Sequence, residues 1–331
     1  MKHRLVVPAA LVAIFTAVMV TPAAAGASLA RPAVTAAAFP SFAVVNHASS
    51  LEVFSTSTGT AAGTLKAPPG QKFQGVASGG TSGTFLAYAS PSSTSAACHA
   101  YYYRFQLAAT GKPSALTPLG SFKNVLPTAI AAAPGGGSDT FSMVHCYPPV
   151  HNGRIEVTGP AGTRSWAYDL TDDYTFALAA TADGGTLALS MYVGPSGLRG
   201  ADLLLNTHSS AATVEDASRI VPHVPYAQAL AVSPSGAALY ACISHGPRAE
   251  LAAYSTATGQ LIRVLHRWTV AQAQAYFCQV SADATGKTLL ASYSSSRTPH
   301  TSLIGINPRT GVSVTLPVQG DYVIDGIEAA W

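Results

Sequence analysis

Three residues near the end of the chain could bind a phosphate group. Gly286-Lys287-Thr288 has the order that closes a phosphate-binding loop, within the stretch SADATGKTLLASY. Such a loop also needs a glycine five residues earlier and a helix after it. Here Ser281 occupies the earlier position, and LLASYSSS alternates in the manner of a strand. The sequence therefore predicts a turn between two strands and not a nucleotide site.

Cysteine residues offer a second kind of chemistry, either disulfides or metal binding. The cysteines are Cys98, Cys146, Cys242 and Cys278. An even number favours disulfides in an exported chain. His99, His145 and His245 lie close to cysteines in sequence, so a zinc site with thiolate and imidazole ligands is the alternative. Because neighbouring residues of a strand point to opposite sides, one segment rarely supplies both ligands. We therefore favour disulfides and expect no metal and no other cofactor.

Carboxylates that could act as a catalytic pair are scarce. The chain has 15 acidic residues, and Asp172-Asp173 are adjacent in a short loop. Adjacent acids usually cap a turn, and calcium would need more oxygen ligands. The nucleophile elbow, the zinc-protease motif and the EF-hand loop are all absent from the sequence. We assign no catalytic residue.

The first 25 residues predict a signal peptide. Lys2 and Arg4 precede an apolar run over 5–20, and Ala23-Ala24-Ala25 supplies small residues for cleavage. A retained membrane anchor is the competing interpretation, but a span needs about 20 apolar residues. An Ala- and Pro-rich flexible tail over 26–40 precedes a single domain over 41–331. We expect a secreted, extracellular protein with no stable membrane insertion after cleavage.

The charge of the mature chain argues against a nucleic-acid partner. Loss of Lys2 and Arg4 reduces the formal net charge from +3 to +1, and the sequence contains no basic run. Nucleic-acid binding needs clustered Lys and Arg. Charged residues make up only 10% of the chain, against about a quarter in typical domains. Small and hydroxylated residues replace them, as suits a secreted β-rich protein.

A module of two hairpins repeats along the mature chain. An apolar run, a turn containing glycine and an alternating strand recur in SPSGAALYA from Ser233 and in TADGGTLAL from Thr181. A second hairpin follows each, most clearly ELAAYSTATGQLIRVL from Glu250. The units begin near Gln74, Pro127, Phe176, Ala229, Tyr276 and Asp325. Four short strands at a period of roughly fifty residues predict the blades of a β-propeller.

The two chain ends complete the last unit. FAVVN from Phe42 is an isolated second strand, and VIDGIEAAW, which ends at Trp331, is an isolated first strand. Pairing them closes the ring and removes free sheet edges. The sequence therefore predicts an all-β, six-bladed propeller closed by its N- and C-terminal strands. Seven blades is the alternative, if a loop contains an irregular unit.

The repeats resemble the YVTN and WD40-like propeller repeats of secreted bacterial proteins. The inner turn Ser233-Pro234-Ser235-Gly236, with Leu239 and Tyr240 after it, is similar to their Ser-Pro-Asp-Gly turn, and the outer TATGQLIRVL pair suits the YVTN group. The Trp-Asp dipeptide of WD40 repeats is missing. The resemblance implies a binding or scaffolding protein, although a few propeller relatives are enzymes.

Blade topology predicts which cysteines pair. Loops that leave second strands and segments that enter first strands lie on one face of a propeller. Cys98 and Cys146 would follow the second strands of blades 2 and 3. Cys242 would end the second strand of blade 5, and Cys278 would begin the first strand of blade 6. We therefore predict the disulfides Cys98–Cys146 and Cys242–Cys278, each between neighbouring blades.

Aromatic residues recur in the connectors that lead into the inner strands, at one mouth of the central channel. The candidates are Phe73, Tyr174, Tyr226, Tyr276 and Tyr322. Loops on the same face carry His145, His245 and Arg248. Tyrosine suits sugars and peptides alike. The alternative is that the rings fill gaps between blades and that the histidines and the arginine are solvated surface residues.

These patterns favour a monomeric binding module without catalysis, whose ligand, an unknown protein or glycan, lies at the channel mouth. The competing hypothesis is an extracellular hydrolase or lyase that acts on polysaccharide or peptide at the same mouth. Converging acidic and histidine residues there would favour the enzyme.

Overall fold

A computed structural model of the chain describes residues 39–93, 98–146, 152–169, 177–192, 200–245, 248–269, 276–295, 298–318 and 329–331. Within these ranges the alternating segments form antiparallel strands, and the strands form six four-stranded sheets arranged as the blades of a propeller. The predicted all-β, six-bladed fold is confirmed.

Each blade takes its four strands in chain order, except blade 1, which takes its first strand from the C-terminus. Blade 1 contains β24 (Ala329–Ala330), β1 (Phe42–Asn46), β2 (Ser50–Ser55) and β3 (Ala61–Lys66). Blade 2 contains β4 (Gln71–Ser78), β5 (Thr84–Pro91), β6 (His99–Gln106) and β7 (Thr117–Lys123). Blade 3 contains β8 (Val125–Ala132), β9 (Asp139–His145), β10 (Asn152–Gly159) and β11 (Gly162–Asp169).

The remaining blades follow the same order. Blade 4 contains β12 (Ala177–Ala180), β13 (Thr186–Tyr192), β14 (Gly200–Asn206) and β15 (Ser218–Ile220), with the short helix α1 (Val214–Ala217) before β15. Blade 5 contains β16 (Ala229–Val232), β17 (Ala238–His245), β18 (Arg248–Ser255) and β19 (Leu261–Thr269). Blade 6 contains β20 (Tyr276–Ala282), β21 (Leu289–Ser295), β22 (Thr298–Asn307) and β23 (Val312–Thr315).

Burial changes from the middle to the outside of a blade. The second strand β5 is buried along almost its whole length, because neighbouring blades cover both of its faces. The outermost strand β3 contains only exposed and half-buried residues, since only one of its faces meets protein. Tyr102 and Trp166 are among the largest fully buried side chains. The core is therefore a series of apolar layers between blades.

The predicted closure of the ring is confirmed. Strand β1 pairs with β24 through Val44↔Ala330 and Val45↔Ala329. Trp331 is 3% exposed and stacks on Phe39 with the ring centroids 5.4 Å apart. The Thr56 hydroxyl donates to the Pro40 carbonyl at 2.6 Å. Phe39 and Pro40 thus contact the blade that closes the ring.

Antiparallel order divides the turns between two faces. We call the side that carries the turns between first and second strands and between third and fourth strands the hairpin face. The opposite side, where second strands lead into third strands and each blade leads into the next, is the connector face. Gly286 has a φ of 65° and donates its amide to the Asp283 carbonyl at 2.9 Å, in the turn between β20 and β21. The predicted turn is confirmed.

Both predicted disulfides are present. Cys98–Cys146 joins blades 2 and 3 with a Cα–Cα distance of 6.2 Å, and Cys242–Cys278 joins blades 5 and 6 with a Cα–Cα distance of 5.9 Å. Both bonds lie toward the connector face. They use all four thiols, so the alternative zinc site lacks its thiolate ligands.

Candidate functional site

The innermost strands of all six blades surround a central channel. Its cavity has a volume of about 290 Å³. Small apolar side chains dominate the wall, among them Ala131, Ala179 and Ala231. Such a wall can admit a narrow ligand, but it supplies few groups that exchange protons or bind charge.

Polar groups in the channel are largely engaged with protein. The Thr128 hydroxyl donates to the Ser142 hydroxyl at 2.8 Å, and the Ser281 hydroxyl donates to the Ala329 carbonyl of blade 1 at 2.9 Å. Asp283 is the only residue with a charged side chain among the described channel-lining residues. Its carboxylate accepts from the Thr288 hydroxyl at 2.8 Å and from the amides of Thr285 and Lys287. These bonds commit the Asp283 carboxylate to the turn.

One described part of the connector-face mouth is the segment 221–228 that leads into β16. Tyr226 lies in this segment and is half-buried. The Ser190 hydroxyl of blade 4 donates to the Ala227 carbonyl at 2.6 Å, and the Gln228 amide donates to the Cys242 carbonyl at 2.8 Å. The Gln228 side-chain oxygen accepts from the Cys278 amide at 3.3 Å. Blades 4, 5 and 6 therefore fix this segment in position.

Asp202 supports the same segment from beneath. It is 1% exposed, and its backbone carbonyl accepts from the Val221 amide at 2.8 Å. Burial raises the pKa of its carboxyl to about 6, although the Ser190 hydroxyl and the Ala227 amide act in the opposite direction. A raised pKa is a common mark of catalytic acids. Because Asp202 is closed off from solvent and does not line the channel, its role is structural.

The structure removes Phe73 from the set of candidate ligand contacts. Its ring is 1% exposed and packs with Val44, Val53 and Val76 between blades 1 and 2. The alternative interpretation, that an aromatic ring fills a gap between blades, therefore holds for Phe73. His145 is exposed at the end of β9 on the connector face.

Other predicted site residues lie outside the described residues. Tyr174 and Tyr322 fall between the described ranges. For Tyr276, His245 and Arg248 the structure describes the backbone, at the start of β20 and at the paired ends of β17 and β18, but not the side chain. Their assignment to the mouth stays a prediction.

Sequence reasoning missed the amide and hydroxyl groups of the channel. Gln228, Gln279 and Thr128 line it, and none belongs to a motif. Each of the three lies within or next to an innermost strand. An alignment of the repeats could therefore have predicted that they line the channel. No group of three or more His, Cys, Asp or Glu residues among the described residues could hold a metal ion. The described residues contain no helix with the length and apolarity of a membrane span.

Comparisons with known proteins agree on the fold. No family model matches the chain, and no curated protein matches it in sequence. TolB from Acinetobacter baumannii is similar over 88% of this chain, with a TM-score of 0.58 and 14% identity, and the match covers 66% of that TolB chain. A chain of the nidogen/laminin complex is similar over 88% of this chain and 98% of its own, with a TM-score of 0.53 and 16% identity. At such identities the likeness establishes the propeller fold and not an activity.

Proposed function

We propose that this protein is an exported propeller of the YVTN/WD40-like type that binds a protein or glycan partner at the connector-face mouth of its channel, without catalysis. In this proposal residues 1–25 are a signal peptide, residues 26–40 are the tail that precedes the domain, and the mature chain is a secreted monomer. The contacts to the partner in this proposal are Tyr174, Tyr226, Tyr276, Tyr322, His145, His245 and Arg248.

The observation that carries the proposal is the chemistry of the channel wall. Alanine and hydroxyl side chains line it, and its charged residue among those described, Asp283, already accepts hydrogen bonds from the Thr285 and Lys287 amides and from the Thr285 and Thr288 hydroxyls of its own turn. Acid–base catalysis needs a group within hydrogen-bond reach of the substrate that is free to exchange a proton. A channel of this composition can bind a partner more readily than it can transform one.

Two further features support binding. The segment with Tyr226 is anchored to three blades, and such pre-organisation lowers the entropy lost on binding. One of the similar structures is a nidogen/laminin complex, so a propeller of this kind occurs in a protein–protein assembly. The two disulfides suit an oxidising compartment.

The test compares mouth variants in a binding screen. The mature chain is screened on a glycan array and, by chemical crosslinking, against a mixture of secreted proteins. For each partner found, the binding affinity is then measured with the purified partner. The triple variant Tyr226→Ala/Tyr276→Ala/Tyr322→Ala should lose most of the affinity for the partner, because the loss of each tyrosine ring removes an apolar contact and a hydroxyl group.

Tyr101→Ala is the matched control. Tyr101 is a half-buried tyrosine on β6, the third strand of blade 2, away from the channel. This variant should bind as the unmodified chain does. Turnover of a polysaccharide or peptide by the pure protein would favour the hydrolase or lyase hypothesis, and equal binding by the triple variant would contradict the proposed mouth.

A further inference from the structure

Three arginines link successive blades on the hairpin face. Arg164, Arg219 and Arg263 lie on the outermost strands of blades 3, 4 and 5. Each guanidinium donates to the carbonyl of the first residue after the third strand of the next blade. The acceptors are Thr207 at 3.3 Å, Thr256 at 2.8 Å and Pro308. We call them the inter-blade arginines.

The seam between blades 5 and 6 has two further cations. Lys287 in the turn after β20 and Arg309 in the turn after β22 line a cleft together with Arg263, and the cleft has a volume of about 510 Å³. Tyr240 and Ile262 of blade 5 supply apolar wall, and Ile262 is 55% exposed. A volume of this size is typical of ligand pockets.

The repeats provide internal comparisons for these two positions. Gly236 and Gly286 are equivalent turn glycines with φ of 73° and 65°, and Gly259 and Gly311 are a second equivalent pair with φ of 68° and 75°. Aligned on these glycines, Lys287 corresponds to Ala237 and Arg309 to Ala257. The seam between blades 4 and 5 therefore folds around Arg219 without the two extra cations. The fold does not need Lys287 or Arg309.

Among the described residues, these cations have no anionic partner. No acidic residue lines the cleft, and no ion pair among the described residues involves Arg263, Lys287 or Arg309. Lys287 and Arg309 are exposed. Like charges held together raise the local positive potential, which attracts an anion. The positive charge of the cleft is thus not neutralised by any described residue, and the cleft can bind an anion.

The chemistry of the cleft discriminates between kinds of anion. An amide nest of the kind that holds phosphate is not free here, because the amides of Gly286, Lys287 and Arg309 already donate to Asp283 or Asn307. Sugar rings commonly stack on an open aromatic face, and the aromatic residue of this cleft, Tyr240, is only 8% exposed. Carboxylates can bind the side-chain cations directly, and an apolar side chain can contact Ile262.

We propose that the cleft between blades 5 and 6 is a second binding site, on the hairpin face, that takes an acidic peptide segment with interspersed apolar residues. Arg263 is positioned by its bond to the Pro308 carbonyl and offers its remaining N–H groups, while Lys287 and Arg309 provide the adjustable charges. This site is independent of the channel mouth.

The test uses a fluorescein-labelled hexapeptide of alternating glutamate and leucine, with alternating glutamine and leucine as the uncharged control. Fluorescence anisotropy with the mature chain should detect binding of the acidic peptide alone, and binding should weaken as salt is raised. Lys287→Ala/Arg309→Ala should weaken it roughly tenfold, since each exposed ion pair contributes modestly. This variant should keep the melting temperature, because neither side chain packs in the core.

Two variants of the neighbouring seam sharpen the test. Arg219→Ala removes the equivalent inter-blade bond and should leave peptide binding unchanged. Ala237→Lys/Ala257→Arg recreates the three cations around Arg219 and should raise the stoichiometry from one peptide to two. Tighter binding of inorganic tripolyphosphate or of polygalacturonate than of the peptide would overturn the proposal. So would no peptide binding at low salt, or equal binding by Lys287→Ala/Arg309→Ala.

Discussion

The two faces of the propeller are held together by different chemistry. On the connector face, two disulfides and the buried Asp202 fix the blades and the mouth segment. On the hairpin face, the inter-blade arginines use single hydrogen bonds to backbone carbonyls. A covalent bond restricts the unfolded chain, whereas a solvent-accessible hydrogen bond is nearly matched by one to water. We therefore expect the connector-face links to contribute more to stability than the inter-blade arginines, which leaves the hairpin face free to vary in charge.

Ring closure supports both faces, so its loss should have the largest effect. Trp331→Ala removes a ring that is 3% exposed and stacked on Phe39. We expect a loss of about 3–5 kcal/mol in the free energy of unfolding, measured by urea denaturation. Trp268→Ala, at a half-buried tryptophan on β19, should cost less than half as much. Equal losses of stability in the two variants would mean that ring closure contributes no more to stability than ordinary packing between blades.

The disulfides test the connector face. Their sequence separations of 48 and 36 residues are similar, so loop closure gives both about 4 kcal/mol at most. Cys242 and Cys278 are 0% and 2% exposed, whereas Cys98 and Cys146 are half-buried. Cys242→Ala/Cys278→Ala should therefore cost more than Cys98→Ala/Cys146→Ala, because it also leaves a cavity.

Reduction should separate the same two bonds in time. In native protein with dithiothreitol, mass spectrometry of alkylated peptides should find Cys98 and Cys146 reduced first, since reductant reaches them more easily. Simultaneous labelling of all four cysteines would contradict the difference in burial.

Asp202 gives the connector face a pH dependence. Its folded pKa of about 6 exceeds the ordinary value of 3.8, so the folded state binds the proton more tightly. The protonated Asp202 carboxyl therefore stabilises the folded state fully below about pH 4. This stabilisation is lost as the pH rises through about 6, which lowers the free energy of unfolding by about 3 kcal/mol. Asp202→Asn should remove that fall and stabilise the protein at pH 7, measured by denaturation from pH 3.5 to 8 (about the span of both pKa values). An unchanged pH profile would show that Asp202 is not the titrating group.

The hairpin face should give the smallest effects on stability. Arg219→Ala removes one hydrogen bond between blades 4 and 5 and should cost about 1 kcal/mol, with no change in the pH profile. Lys287→Ala should change stability by less than about 0.5 kcal/mol, as is usual for surface substitutions. A larger loss of stability in Lys287→Ala than in Arg219→Ala would contradict the structural role assigned to Arg219 and the binding role assigned to Lys287.

Much of the architecture could be predicted from residue order. Alternation defines the strands, and recurring glycines such as Gly236, Gly259 and Gly286 mark turns because their positive φ disfavours other residues. The cysteine pairs followed once blades and faces were assigned. The burial of Phe73 was harder to predict, because the pairing register shifts between Phe73 and Gly75 in β4. Such a bulge changes which side of the strand a residue faces, so alternation does not predict its burial.

The strands, the turns and the closure by the chain ends follow from the amino-acid sequence alone, since these depend on local periodicity and on a repeat. The repeat also favoured six blades over seven. The folded chain was needed to show that Asp202 is buried, that Phe39 packs on Trp331, and that Arg263 shares a cleft with Lys287 and Arg309. Contacts between blades depend on how whole sheets pack face to face. Residues far apart in the chain, on different elements, carry no periodic signal of their meeting.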